Sequence, residues 1–192
     1  MGPFSDDRHV LEFTMAYETV TDSGFVLSIR WVLAVVFLVA FFHKVTAPAS
    51  FVTTLKAYHL LPDELSIIVA YALIAAELVA ACALLVNSMI GSIVAAGLLA
   101  IYVLAILVNL LRGRRDIDCG CAGPYVRQTL SGWLIARNIG FIAVALLTML
   151  PAGEPRALGA LDWFTSLAAA VTFGLIYFAA NHISSVNTRY GR

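Results

Sequence analysis

The sequence predicts an all-α fold, a multi-pass transmembrane helical bundle with a four-helix core and a fifth C-terminal helix. Composition is the first reason: of 192 residues, 61% are hydrophobic and 12% charged, where soluble domains run near ~45–50% and ~25%. Patterning is the second. The apolar residues form long continuous runs, not the two-residue alternation of a barrel strand, and only helices or closed barrels keep backbone polar groups bonded in hydrocarbon.

Five runs approach the roughly 20 residues that a crossing needs, at about 25–47, 65–86, 89–111, 133–150 and 163–180. Residues 1–24 read as an acidic extramembrane tail, 25–183 as one membrane domain, and 184–192 as a short C-terminal tail. The tail lacks a basic segment followed by an apolar core, so the first run is expected to serve as an uncleaved targeting signal. Within it, the stretch from His9 to Tyr17 reads equally as a short interfacial helix or as disorder. Asn87 and Ser88 alone separate the second and third runs, which requires a tight antiparallel hairpin. Pro48 and Pro62 bracket the first polar segment, making it a structured connection and not a continuation of the first helix.

Alternating spans place the segments 43–64 and 112–132 on one face. That face carries Lys44, Lys56, Arg112, Arg114, Arg115, Arg127, Arg189 and Arg192, eight cations against three (Arg8, Arg30, Arg156) on the other. Such an excess marks the cytoplasmic side. The expected location is the cell membrane, with the second polar segment cytoplasmic. No nucleic-acid partner is expected of a chain with formal net charge +0.

That second segment holds Cys119-Gly120-Cys121, two of the three cysteines. Cysteines at i and i+2 meet disulfide geometry if the chain bends, and Gly120 permits the bend. So small a ring gains little from loop closure and is strained, which suits exchange better than bracing. Gly123-Pro124 should turn the chain and keep the pair exposed. Arg112, Arg114 and Arg115 favour a thiolate while Asp116 and Asp118 oppose it. Redox exchange, an idle or structural pair, and capture of a soft ion such as Cu(I) all remain open. Zinc would need two further ligands, and His43 and His59 form no ligand motif, so no metal is assigned. Disulfides persist in oxidising compartments, which is at odds with a cytoplasmic loop. Cys82, within the second run, reads as a small buried apolar residue.

Four polar residues fall inside or at the edge of the membrane. Glu77 lies twelve residues into the second run, where a carboxylate requires protonation or a partner. Arg137 lies four residues into the fourth; it either snorkels to the interface or reaches toward Glu77, at depths differing by roughly 12 Å on straight helices. Asn138 offers interhelical hydrogen bonds. Lys44 closes the first run, to anchor in headgroups or to turn inward. The functional expectation is a supporting cluster of Lys44, Glu77, Arg137 and Asn138 beneath the redox pair Cys119 and Cys121. The plain alternative is fold-holding contacts and interfacial anchors. Gly91, Ala95, Ala96 and Gly97 permit close packing without locating a partner.

Arg30, Phe37 and Lys44, then Phe51, Tyr58, Leu61 and Pro62, Glu77, the Cys119-Gly120-Cys121-Ala122-Gly123 loop and Arg137-Asn138 together resemble the MauE family of methylamine-utilisation accessory membrane proteins, within the DoxX-like group. The likeness covers about residues 24–150. Ala122 departs from the phenylalanine usual at that place, which puts one aromatic contact beside the thiols in doubt and leaves the pair intact. The resemblance implies a factor in the bacterial cell envelope that helps mature a disulfide-rich dehydrogenase beside a thioredoxin-like partner, and so an outward-facing loop. No cofactor motif is evident; a quinone in the bundle is the candidate electron acceptor. The other expectations are a non-catalytic subunit of a larger membrane complex and a small-solute transporter centred on Glu77.

Overall fold

The structure is a computed structural model and describes residues 17–18, 22–120, 129–150 and 157–190. The His9 segment and most of the tail lie outside the described residues. Six described helices follow in order: α1 (Ser23–Thr46), α2 (Pro48–Ala57), α3 (Asp63–Leu85), α4 (Met89–Leu111), α5 (Gly132–Leu147) and α6 (Ala160–Tyr190). α1, α3, α4 and the part of α6 spanning Ala160–Tyr177 are long and apolar enough to cross a membrane, while α5 is a shorter apolar helix. At 1.5 Å per residue its sixteen residues reach about 24 Å. The fourth run therefore falls short of the span expected of it, because the chain turns at Thr148.

Local chemistry sets the helix ends. The Asp22 carboxylate caps α1, accepting from the Gly24 and Phe25 amides at 2.9 and 3.1 Å, and Ser88 caps α4 through the Ile90 amide, each satisfying donors that have no intrahelical acceptor. Pro48 stands in the first turn of α2, where its missing N–H costs nothing. Asn87 takes a positive φ of 58° in the α3–α4 turn, a conformation that asparagine tolerates better than most residues.

The core is shared by four helices: Leu33, Ala34 and Phe37 of α1, Ala80, Ala81 and Leu84 of α3, Ala95, Leu98 and Leu99 of α4, and Ala145 of α5. In lipid, close packing and polar contacts must supply what the hydrophobic effect supplies in water. Gly91 shows the packing term: a Cβ there would stand 2.6 Å from the Leu84 backbone nitrogen, so the α3–α4 approach excludes any side chain. Arg30 shows the polar term. It is buried, and its guanidinium donates to the Asn87 carbonyl and side chain, both at 2.7 Å, and to the Thr148 carbonyl at 2.9 Å. One side chain thus ties α1 to the α3–α4 turn and to the end of α5.

α6 packs on α1, with the Ser28 and Ser166 hydroxyls 2.9 Å apart and the Trp31 and Trp163 rings edge to face at 5.7 Å. Isoleucines and leucines such as Ile68, Ile101, Leu104 and Leu175 are exposed on the outside of the bundle, as lipid-facing positions should be. Cys82 is exposed as well. The expectation that it is buried is corrected: the helix turns Ala80, Ala81 and Leu84 inward and presents Cys82 outward.

Candidate functional site

Depth is best measured from the Arg30 clamp, which fixes α1, the Asn87 turn and Thr148 at one level. On straight helices Lys44 then lies about 21 Å above that level, Glu77 about 15 Å, Tyr102 about 22 Å and Arg137 about 16 Å. Glu77 and Arg137 are nearly level, correcting the 12 Å offset obtained by counting from the run ends. α1 stops lower in the bundle than α3 begins, and α2 fills the difference, with Phe51 packed on Ala70 and Ile74.

That early stop carries Lys44 into the interior. Lys44 is 2% exposed and Glu77 0%; the ammonium donates to Glu77 Oε1. The Tyr102 hydroxyl donates to the same carboxylate oxygen at 2.6 Å, and Lys44 Nζ lies 3.2 Å from that hydroxyl. The ammonium also lies over the Phe51 and Tyr102 rings, 4.7 and 4.8 Å from their centroids, where the ring quadrupoles favour a cation. A buried ion pair persists only if other groups satisfy its remaining polar atoms. Here Tyr102 and two aromatic faces do so on the lysine side.

The other carboxylate oxygen, Glu77 Oε2, is buried without a hydrogen-bond partner. Glu77 lines a small cavity together with Val36, Phe37, Ala40, Leu99, Tyr102, Arg137, Asn138, Phe141 and Tyr177. Arg137 forms no ion pair with Glu77; among the described residues the ion pairs are Lys44 with Glu77 and, at the surface, Lys56 with Asp63. Its guanidinium sits instead 5.8 Å from the centre of the Tyr177 ring. Arg137 Nε and Asn138 Nδ2 are also buried without acceptors.

Above the ion pair, a second small cleft is lined by His43, Lys44, Ala47, Ser50, Phe51, Thr54, Asp118 and Gly120. The cysteine loop reaches it through Gly120. An isolated antiparallel bridge between Asp118 and Thr129 and the bond from the Leu130 amide to the Ile117 carbonyl pinch the loop at its base. Gly120 has φ +73°, its amide bonds to Asp118 Oδ1 at 3.1 Å, and a Cβ on it would meet Phe51 and Thr54 at 3.2 Å. Gly120 thus adopts the left-handed backbone that glycine permits.

Cys119 is buried, with 6% exposure, among Tyr58, Ile106, Leu130 and Leu134. This corrects the expectation of an exposed thiol at that position, because the bridge folds the loop base onto α4 and α5. Cys121 lies outside the described residues. No group of three or more potential metal-ligating His, Cys, Asp or Glu occurs among the described residues.

Sequence reasoning missed Tyr102 and Tyr177, and named Phe51 among the residues that carry the resemblance without giving it a role beside Lys44. Tyr102 carried a usable signal, since a phenol thirteen residues inside an apolar run needs a partner for its hydroxyl. Tyr177 carried none that distinguishes it from an interfacial aromatic.

The family described as "Methylamine utilisation protein MauE" matches residues 22–151. Several curated relatives bear the name methylamine utilization protein MauE. That of Paracoccus versutus is 36% identical over 167 residues, covering 85% of this chain and 89% of the relative. That of Paracoccus denitrificans is 33% identical over 164 residues, covering 83% and 87%. The Methylophilus methylotrophus protein is 33% identical over 152 residues, covering 78% and 80%. No solved structure matches significantly.

Proposed function

The chain belongs to the MauE family, and from that premise we propose that it is a redox-associated membrane protein working by thiol-disulfide exchange through Cys119 and Cys121. Its setting is the maturation of a cell-envelope dehydrogenase, in keeping with the methylamine utilisation for which its relatives are named. One sulfur of the reduced pair, as thiolate, attacks a partner disulfide; the partner S–S bond breaks, a mixed disulfide forms and the partner thiolate leaves. The second cysteine then attacks the mixed disulfide, yielding a Cys119–Cys121 bridge and a partner reduced by two electrons. The reverse sequence installs a disulfide in the partner. The partner is a thioredoxin-like protein or the dehydrogenase itself, according to the face on which the loop lies.

The observation that carries this reading is the left-handed backbone of Gly120 between the two cysteines, φ +73°, a conformation that glycine permits and a tight turn uses. Single Cys119→Ser and Cys121→Ser variants of the full chain in native membranes should differ: one accumulates a partner-linked species on non-reducing gels, and the double variant accumulates none. If both single variants behave like the unsubstituted chain, exchange is excluded.

The burial of Cys119 favours a second reading, in which the cysteine packs the loop base of a non-catalytic subunit. Copurification with a large membrane complex, unchanged in the double cysteine variant, would establish that role.

A further inference from the structure

We propose that the small cavity between α3 and α5 is a binding site for water, in which about one or two molecules join Glu77 to Arg137 and Asn138. α3 packs on α1, α2 and α4, and α5 packs on α4 and α1, so the two helices face each other diagonally across the bundle. Glu77 and Asn138 are 0% and 4% exposed. Glu77 Oε2, Arg137 Nε and Asn138 Nδ2 are each buried without a hydrogen-bond partner, and all three residues line the cavity. A buried polar group left unpaired is costly, and more so with hydrocarbon outside.

The size of the cavity and the chemistry of these atoms select the occupant. The space takes about one or two water molecules and nothing larger. Its polar edge offers one acceptor, the carboxylate oxygen, and two N–H donors, so the occupant has to donate on one side and accept on the other. A small anion would accept from both donors but stand beside the Glu77 carboxylate, and a metal cation would pair with Glu77 but stand beside the Arg137 guanidinium. Water carries two donors and two lone pairs, and a buried water typically makes about three hydrogen bonds, the number these atoms ask for. Glu77 then has two cationic neighbours, Lys44 by direct contact and Arg137 through water. The bridge also links α3 to α5, which the packing of the bundle leaves to opposite corners. This inference concerns hydration alone and does not rest on the thiol reading.

The test is pulsed X-ray radiolytic labelling of the full-length chain in phosphatidylcholine nanodiscs, in water enriched in the heavy oxygen isotope. A radical made from a bound water oxidises the side chains that touch it, even where bulk solvent has no access. Phe37 and Leu99 line the cavity at 2% and 4% exposure and should be labelled, whereas Leu33 and Leu84, at 1% and 0% and away from it, should not. Asn138→Leu, which removes a donor, and the Lys44→Met, Glu77→Leu double variant, which removes the acceptor without stranding a charge, should each lower labelling of Phe37 at least about tenfold. The variants are compared at an unchanged labelling of Leu33 and Leu84, which reports an intact bundle, and the unsubstituted chain decides the matter by itself if a variant fails to fold. Labelling of Phe37 and Leu99 no stronger than that of Leu33 and Leu84 overturns the proposal. So does labelling of Phe37 that persists undiminished in folded variants, since the water would then not be held by these groups.

Discussion

A lysine near the end of an apolar helix ordinarily carries its ammonium outward to the headgroups, and Lys44 does the reverse because α1 ends below the level at which α3 begins. The consequence is a buried charge pair whose members depend on each other. Removing one charge leaves the other desolvated, so Lys44→Met or Glu77→Gln should each cost about 3–5 kcal/mol, whereas Lys44→Met with Glu77→Leu should recover most of that loss. Tyr102→Phe removes one hydrogen bond to the carboxylate and should cost about 1.5–3 kcal/mol. Unfolding midpoints of the purified variants in one detergent measure all four; a double variant no more stable than either single one would show that the pair contributes through packing instead. Sequence alone exposed Glu77 as a residue in need of a partner but not which one. Lys44 and Arg137 were both within reach on paper, and the choice was made by the break at Pro48, whose effect on depth no local pattern records.

At the scale of the helices, the two positively charged side chains of α1 do opposite jobs at opposite ends. Arg30 uses its planar fork on three acceptors at 2.7–2.9 Å, whereas Lys44 offers a point charge to one carboxylate and two rings. The residues are not interchangeable. Arg30→Lys should loosen the α3–α4 turn and the end of α5 together, costing ~2 kcal/mol or more as charged hydrogen bonds are lost. Hydrogen exchange should then quicken at both places while the Lys44 region keeps its protection; quickening confined to α1 would refute the clamp. The helices themselves were legible because a long apolar run has few alternatives in lipid. The tight hairpin at Asn87 was legible for a related reason, as two residues permit no other connection. The contact at Gly91 was not. Gly91 and Gly97 look alike in sequence, yet an added Cβ meets backbone at 2.6 Å in the first and nothing within 4 Å in the second. Only the facing helix distinguishes them.

For the whole molecule, the structure alters the charge count that bears on the face of the cysteine loop. Lys44 and Arg30 are both buried and bonded inside the bundle, so neither belongs in a tally of headgroup-facing cations. Removing one from each side leaves seven on the loop face against two on the other. The bias keeps its sign, and cations in short segments near the helix ends orient a chain with the richer face toward the cytoplasm. Cys121 should therefore react with a membrane-impermeant maleimide in inverted vesicles and not in intact cells. With Cys119 packed beneath the bridge, a Cys121→Ser chain should label more slowly than a Cys119→Ser chain under the same conditions. A cytoplasmic loop meets a reducing thiol pool, so labelling there should need no prior reduction, and its exchange partner would be a thioredoxin-like protein on that side. Labelling in intact cells, only after reduction, would place the pair outside as an oxidised bridge and bring an envelope dehydrogenase within direct reach. In that case Arg112, Arg114 and Arg115 would be retained against the orienting bias, and replacing all three with glutamine should leave the side unchanged while slowing exchange with an acidic partner.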